Sequence, residues 1–185
     1  MIKQLFTLTV AIATLLLSAS VSKPMKTLYD FKAKTIDGKD FDFSSLKGKK
    51  VMVVNTASMC GFTPQYTDLE KLYKTYGGAK FTIIGFPANN FGQQEPGPND
   101  SIKIFCTKNY GVTFQMMAKI SVKGDDMDAL YKWLTEKSEN GKQDAPVMWN
   151  FQKFLIDENG NWAGVAMSQE SPLSDHIVNW IKGGK

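Results

Sequence analysis

The chain predicts an α/β domain, a parallel strand–helix–strand core with an antiparallel hairpin along one edge. Three observations carry that prediction. Residues 51–55 (Val-Met-Val-Val-Asn) and 81–86 (Phe-Thr-Ile-Ile-Gly-Phe) are continuous apolar runs, the mark of strands buried on both faces. Between them lies a helical pattern, and strand–helix–strand in that order reads as a parallel crossover. Further on, residues 150–156 and 162–167 flank the turn Asp157-Glu158-Asn159-Gly160-Asn161 as an antiparallel pair.

The elements follow in order. Residues 1–22 read as a secretory signal: Lys3, an apolar run from Leu5 to Leu17, then small residues with candidate cleavage after Ser20 or Ser22. The run falls short of the roughly 20 residues a membrane span needs. No Cys at the cut supports a lipid anchor. The expectation is an exported, periplasmic or secreted protein without stable membrane insertion, with residues 23–185 as its single domain. Residues 29–34 and Phe41–Phe43 alternate around Asp37-Gly38, a hairpin signal. After the strand at 51–55, Thr63 is the expected N-cap of a helix with Pro64 in its first turn, ended by Gly77-Gly78. Leu69, Leu72, Tyr73 and Tyr76 share one side of it. Residues 87–99, rich in Gly, Pro, Asn and Gln, form a loop long enough to carry function. Asn99 or Asp100 is expected to cap a short helix over 101–109, and 116–122 is strand-like. A helix is expected over 125–139 with Met127, Leu130, Tyr131 and Leu134 inward, and a closing helix over 172–181. The pairs Glu70–Lys74 and Asp128–Lys132 have i,i+4 spacing and read as helix support.

Composition excludes several classes of function. The 185 residues contain 22 lysines and no arginine, 18 acidic side chains, one His and two Cys. One His and two Cys are too few for a zinc finger, a four-cysteine site or a three-histidine site, so no metal and no cofactor are expected. A net charge of +4, with lysines scattered among acidic residues, draws no basic stripe for nucleic acid. His176, followed by Ile177 and Val178, reads as structural or surface.

The chemistry then falls to sulfur. Cys60 follows a buried strand and precedes a helix start, where unpaired N–H groups and the helix dipole favour a thiolate. Ligands of open α/β sheets bind at this end of the strands. The segment is Cys60-Gly61-Phe62-Thr63, without a second Cys at the position of Thr63, and the only other thiol is the distant Cys106. A lone thiolate with a remote partner suits peroxide chemistry, in which a sulfenic acid condenses with a second thiol. A structural Cys60–Cys106 disulfide in a non-catalytic exported domain, an inert buried thiol and a thiol–disulfide exchange protein remain open on these residues alone.

Four ordered blocks carry a resemblance to glutathione peroxidases. Residues 55–63 (Asn-Thr-Ala-Ser-Met-Cys-Gly-Phe-Thr) resemble the nucleophile segment of that family. Residues 85–97 (Gly-Phe-Pro-Ala-Asn-Asn-Phe-Gly-Gln-Gln-Glu-Pro-Gly) resemble its second signature and 149–155 (Trp-Asn-Phe-Gln-Lys-Phe-Leu) its third. Residues 110–114 with 119–122 are also similar. The resemblance implies a thioredoxin-like fold, with a mixed central sheet flanked by helices, and a peroxidase acting on hydrogen peroxide and organic or lipid hydroperoxides. It implies Cys60 as the peroxidatic nucleophile, with Gln94, Trp149 and Asn150 around it as neutral donors. It implies Cys106 as the resolving thiol, on a helix that must partly unwind to reach Cys60.

Departures from the family pattern refine this. Cys60 is cysteine where some members carry selenocysteine, which resembles the thiol branch. Ala88 stands where many members have Cys, and Asn90 replaces a Gln. Two-Cys members are usually reduced by thioredoxin, and glutathione use leans on basic residues that include Arg. The absence of arginine therefore points to a thioredoxin-like reductant rather than glutathione. Residues 141–148 lack the insertion that supports tetramers, so a monomer is expected, and 163–168 lack the basic and aromatic residues often found there.

Overall fold

The computed structural model describes residues 25–183. The expected signal segment, residues 1–22, lies outside them. A two-stranded antiparallel ribbon, β1 (Lys32–Lys34) with β2 (Asp40–Asp42), opens the domain and turns at Gly38, whose φ is +76°. The main sheet then builds from β3 (Lys50–Thr56), α1 (Gln65–Tyr76) and β4 (Phe81–Pro87), with β3 and β4 parallel from Lys50↔Phe81 to Thr56↔Pro87. α2 (Asn99–Tyr110) leads to the two-residue β5 (Gln115–Met116), parallel to β4. α3 (Ala129–Thr135) and α4 (Lys137–Asn140) precede the hairpin of β6 (Lys153–Ile156) and β7 (Trp162–Ala166), and α5 (Asp175–Lys182) closes the chain.

The sheet order is β5-β4-β3-β6-β7, with β6 antiparallel to both β3 and β7. This is the mixed, thioredoxin-like arrangement expected. Side chains alternate across β3 with period two. Val51 and Val53 face a layer holding Leu130, Tyr131, Trp133 and Leu134 of α3, together with Leu28 and Phe43. Met52 and Val54 face the layer of α1, α2 and α5, among Tyr66, Leu69, Leu72, Ile102, Cys106 and Ile177. Both faces of β3 and β4 are thus covered, which is why their sequences show apolar runs and no alternation.

Several expectations need correction. The helix expected over 125–139 starts at Ala129, because the Asp128 carboxylate accepts from the Leu130 N–H at 2.8 Å and caps it there. Asp128 is thereby used as a cap, not as a partner of Lys132. That helix breaks at Glu136, whose backbone is extended (φ −111°, ψ 123°). Of the expected strand at 116–122, Met116 joins the sheet in β5 and Met117 makes an isolated antiparallel bridge to Thr35, while 118–122 form no strand. α2 begins after Pro98 without a side-chain cap; the Asn99 Oδ1 instead accepts from the Lys119 N–H at 2.9 Å. Glu70 does reach Lys74 at 3.4 Å, but it is buried and its carboxylate also accepts from the Thr113 N–H at 2.8 Å and Oγ1 at 2.5 Å.

Candidate active site

Cys60 lies in the turn between β3 and α1 and is 7% exposed. The turn is braced by Thr63. Its hydroxyl accepts from the Cys60 N–H at 2.9 Å and donates to the Ala57 carbonyl at 2.9 Å. A hydroxyl committed to the turn cannot cap a helix. The first N–H groups of α1 go instead to carbonyls three residues back, Gln65 to Phe62 and Tyr66 to Thr63. The helix start is therefore further from the sulfur than expected, and the N–H that reaches Cys60 Sγ is that of Phe62, at 3.4 Å.

Gln94 is carried by the loop after β4. The Ala88 N–H extends the strand ladder to Thr56 O at 3.0 Å, and the Met59 N–H donates to Gln94 O at 3.0 Å. The second bond ties the Gln94 loop to the residue before Cys60. Gly92 and Gln93 both sit in the left-handed region, at φ +60° and +53°. Glycine at 92 serves the left-handed turn that leads into Gln94; a Cβ there would only touch the Gln94 side chain at an ordinary 3.5 Å. Lys119 clamps the far side of the loop, its ammonium donating to the carbonyls of Glu95 at 3.1 Å and Gly97 at 2.7 Å.

Trp149 and Asn150 arrive just before β6. The Asn55 Nδ2 donates to Trp149 O at 3.1 Å, and the Phe151 N–H donates to Asn55 O at 2.6 Å, so both are tied to the end of β3. Gln152 braces the approach, its Nε2 donating to Pro146 O at 3.1 Å and its Oε1 accepting from the Met148 N–H at 3.0 Å. The Trp149 ring is 39% exposed and lies 5.5 Å from Phe91 between ring centres. Asn150 is fully buried, and its Nδ2 donates to Gln94 Oε1 at 3.0 Å. Residues from widely separated parts of the chain therefore meet at the carboxyl end of β3, where Cys60 lies. The Phe62 N–H reaches the sulfur, and the Gln94 and Asn150 amides and the Trp149 indole are neutral donors carried on the segments that flank the cysteine turn.

Cys106 lies within α2, is 1% exposed, and is a free thiol, as is Cys60. Burial pushes its thiol up to about 11; the Tyr66 hydroxyl works against that rise and the Glu95 carboxylate adds to it. Cys106 is therefore protonated at neutral pH. His176 is surface-exposed, with Nδ1 2.9 Å from Glu170, in line with the expectation. Among the described residues no cluster of three or more potential metal ligands occurs.

The residue pattern alone did not single out Tyr66, Glu95, Lys119, Phe151 or Lys153. Lys153 is fully buried, with its ammonium donating to Glu170 O at 2.5 Å and lying 3.4 Å from Ser168 O. The one available signal was the apolar company of Lys153 in 153–156, which makes it the charged member of a strand buried on both faces.

A strand, a cysteine turn and a helix, with amide and indole donors on flanking loops, define a thiol oxidoreductase of thioredoxin-like fold. The glutathione peroxidase family model matches residues 28–135. A "glutathione peroxidase-like peroxiredoxin" of Schizosaccharomyces pombe is 53% identical over 159 residues, covering 85% of this chain and 98% of its own. A "hydroperoxy fatty acid reductase" of Synechocystis is 45% identical over 141 residues, 72% of this chain and 82% of its own. Among solved structures, one described as Trgpx in apo form matches with a TM-score of 0.65 and 41% identity, over 85% of this chain and 96% of its own. The chain belongs to the glutathione peroxidase family.

Proposed function

We propose that this protein is a thiol peroxidase that reduces hydrogen peroxide and organic or lipid hydroperoxides, with Cys60 as nucleophile. The observation that carries the reading is the Asn150–Gln94 hydrogen bond at 3.0 Å beside the loop holding Cys60. It joins two motifs that have no other evident reason to meet. In the first step the Cys60 thiolate attacks a peroxide oxygen, the O–O bond breaks, and the leaving alkoxide takes a proton. Gln94, Trp149 and Asn150 orient the peroxide and stabilise the charge that develops on its oxygens. Cys60 is left as a sulfenic acid. In the second step the Cys106 thiol condenses with it, releasing water and forming a disulfide. A thioredoxin-like dithiol partner, rather than glutathione, then reduces that disulfide.

The names of two relatives support this. One is a glutathione peroxidase-like peroxiredoxin, and the other a reductase of hydroperoxy fatty acids. The apolar rim of the site agrees with an apolar hydroperoxide: Met59 is 68% and Met148 58% exposed. The leader-like residues 1–22 support export, with the mature domain acting as a monomer.

The test is a quenched reaction with peroxide followed by mass analysis of both cysteines. Cys60→Ser should abolish peroxide consumption. Cys106→Ser should leave sulfenate formation intact and block turnover with a thioredoxin-like donor. Peroxide consumption that persists in Cys60→Ser overturns the reading.

A further inference from the structure

We infer that Glu95 is the proton acceptor for Cys106 when the disulfide closes, an inference that rests on Cys106 being the resolving thiol. Glu95 is only 1% exposed, yet its Oε2 carries no hydrogen bond. A buried carboxylate oxygen without a partner is costly to a folded protein. The neighbouring cation does not neutralise it by contact, because Lys119 directs its ammonium to the loop carbonyls. The Ser58 hydroxyl and N–H face the carboxylate.

Its position gives the free oxygen a role. Glu95 lines a cavity of about 190 Å³. One wall is Ser58 and Met59, immediately before Cys60; the other is Ile102 and Phe105, on the turn of α2 that leads to Cys106. The cavity is thus the space between the two cysteine-bearing segments. In the folded helix Cys106 faces elsewhere, lining a separate cavity with Ile36, Val112 and Phe114. To bring the Cα atoms within about 7 Å, the α2 segment must move toward the Cys60 turn, past this carboxylate.

The chemistry requires such a group. A thiol held near 11 is a poor nucleophile at neutral pH, and Cys106 has to lose its proton as it attacks. Burial raises the Glu95 carboxyl above its ordinary range, so it is a better base than a solvated carboxylate; Ser58 and Lys119 limit that rise. The field of Glu95 also reaches Tyr66 and Cys106, raising both. The groups that bear on its titration are therefore Lys119, Tyr66 on α1 and Cys106 on α2. In the step, Cys106 Sγ–H gives its proton to Glu95 Oε2. The sulfur attacks Cys60 Sγ, the S–S bond forms and the S–O bond breaks. The departing hydroxide takes the proton back from Glu95 and leaves as water, so no outside acid, base or oxidant is consumed.

The experiment compares wild type, Glu95→Gln and Glu95→Asp as whole proteins. Each is mixed rapidly with hydrogen peroxide, and sulfenate and disulfide are followed separately by quenching and mass analysis across pH 6–9. Sulfenate should form at the same rate in all three. Disulfide closure should slow by about 10²–10³-fold in Glu95→Gln. Its rate should then climb about tenfold per pH unit, as hydroxide replaces the missing base, whereas wild type stays flat above the titration of the carboxyl. Glu95→Asp should recover part of the rate and the flat profile. A Glu95→Gln protein that closes at the wild-type rate, or slowly but with a flat profile, overturns the inference. A wild-type protein that stops at the sulfenate overturns instead the assignment of Cys106.

Discussion

Phe151 and Gln93 hold φ at 66° and 53°, a region that side-chain-bearing residues enter at a cost of order 1–3 kcal/mol. Each sits beside a residue of the site, Asn150 and Gln94. The kink at Phe151 turns its ring into the core, where it meets Tyr66 edge-on at 5.3 Å, and sets the preceding Asn150 against Gln94. Replacing Asn150 by Ala should lower the rate of peroxide consumption by about 10²–10³-fold, the scale expected for one donor at a developing oxyanion, and steady-state kinetics on hydrogen peroxide will measure it. Much of this was readable in advance. Cys60, Gln94, Trp149 and Asn150 all fall in ordered motifs, and those motifs do converge. The role of Thr63 was not readable, because a Thr before Pro suits a helix cap and a turn brace equally well. Phe151 gave no signal either; nothing in an aromatic side chain announces a positive φ.

α2 combines features of a weakly held element. It lacks a side-chain cap at its start, and within it only Ile102 and Cys106 are buried. Its end is firmer: Gly111, left-handed at φ 60°, donates to the carbonyls of Cys106 and Thr107, and Tyr110 packs 5.4 Å from Tyr66 and 5.7 Å from Phe105. Opening should therefore begin at the Asn99 end. Hydrogen exchange over residues 101–110 should be faster in peroxide-oxidised than in reduced protein, and equal protection in both states would count against unwinding. Tyr110→Ala removes two aromatic contacts, worth about 1 kcal/mol or slightly more. It should raise exchange of the α2 amides in the reduced protein by roughly tenfold. The sequence marked this helix by its caps and length but placed its start two residues late, since Asn99 looked like a cap and is instead held by Lys119. The break at Glu136 was likewise hidden, because the apolar spacing of 127–134 runs smoothly up to it.

At the scale of the whole molecule, the fully buried Lys153 ties stability to pH. Burial lowers its pKa to about 8, and Glu170 works against that. Between about 8 and its ordinary 10.5 the unfolded chain binds the proton that the folded chain has released. Stability contributed by this group therefore rises with pH across that window. Relative to Lys153→Met, denaturant unfolding should show wild type gaining on the order of 2 kcal/mol from pH 8 to pH 10.5. The overall architecture was legible because strands buried on both faces leave apolar runs that few other structures produce. A lysine inside such a run was not legible as buried, since only the fold supplies its carbonyl partners.

The pairing of β6 with the central strand β3 bears on when the protein becomes reactive as well as on its shape. β3 waits for a partner that lies roughly half the chain away in sequence, and such non-local pairing forms late and slowly. Until it forms, a chain growing from its N-terminus displays the Cys60 thiol without Trp149 or Asn150. Acquisition of reactivity is thereby a checkpoint on finished topology: the nucleophile is made early, but its full set of flanking donors is assembled only when the last third of the chain has threaded home.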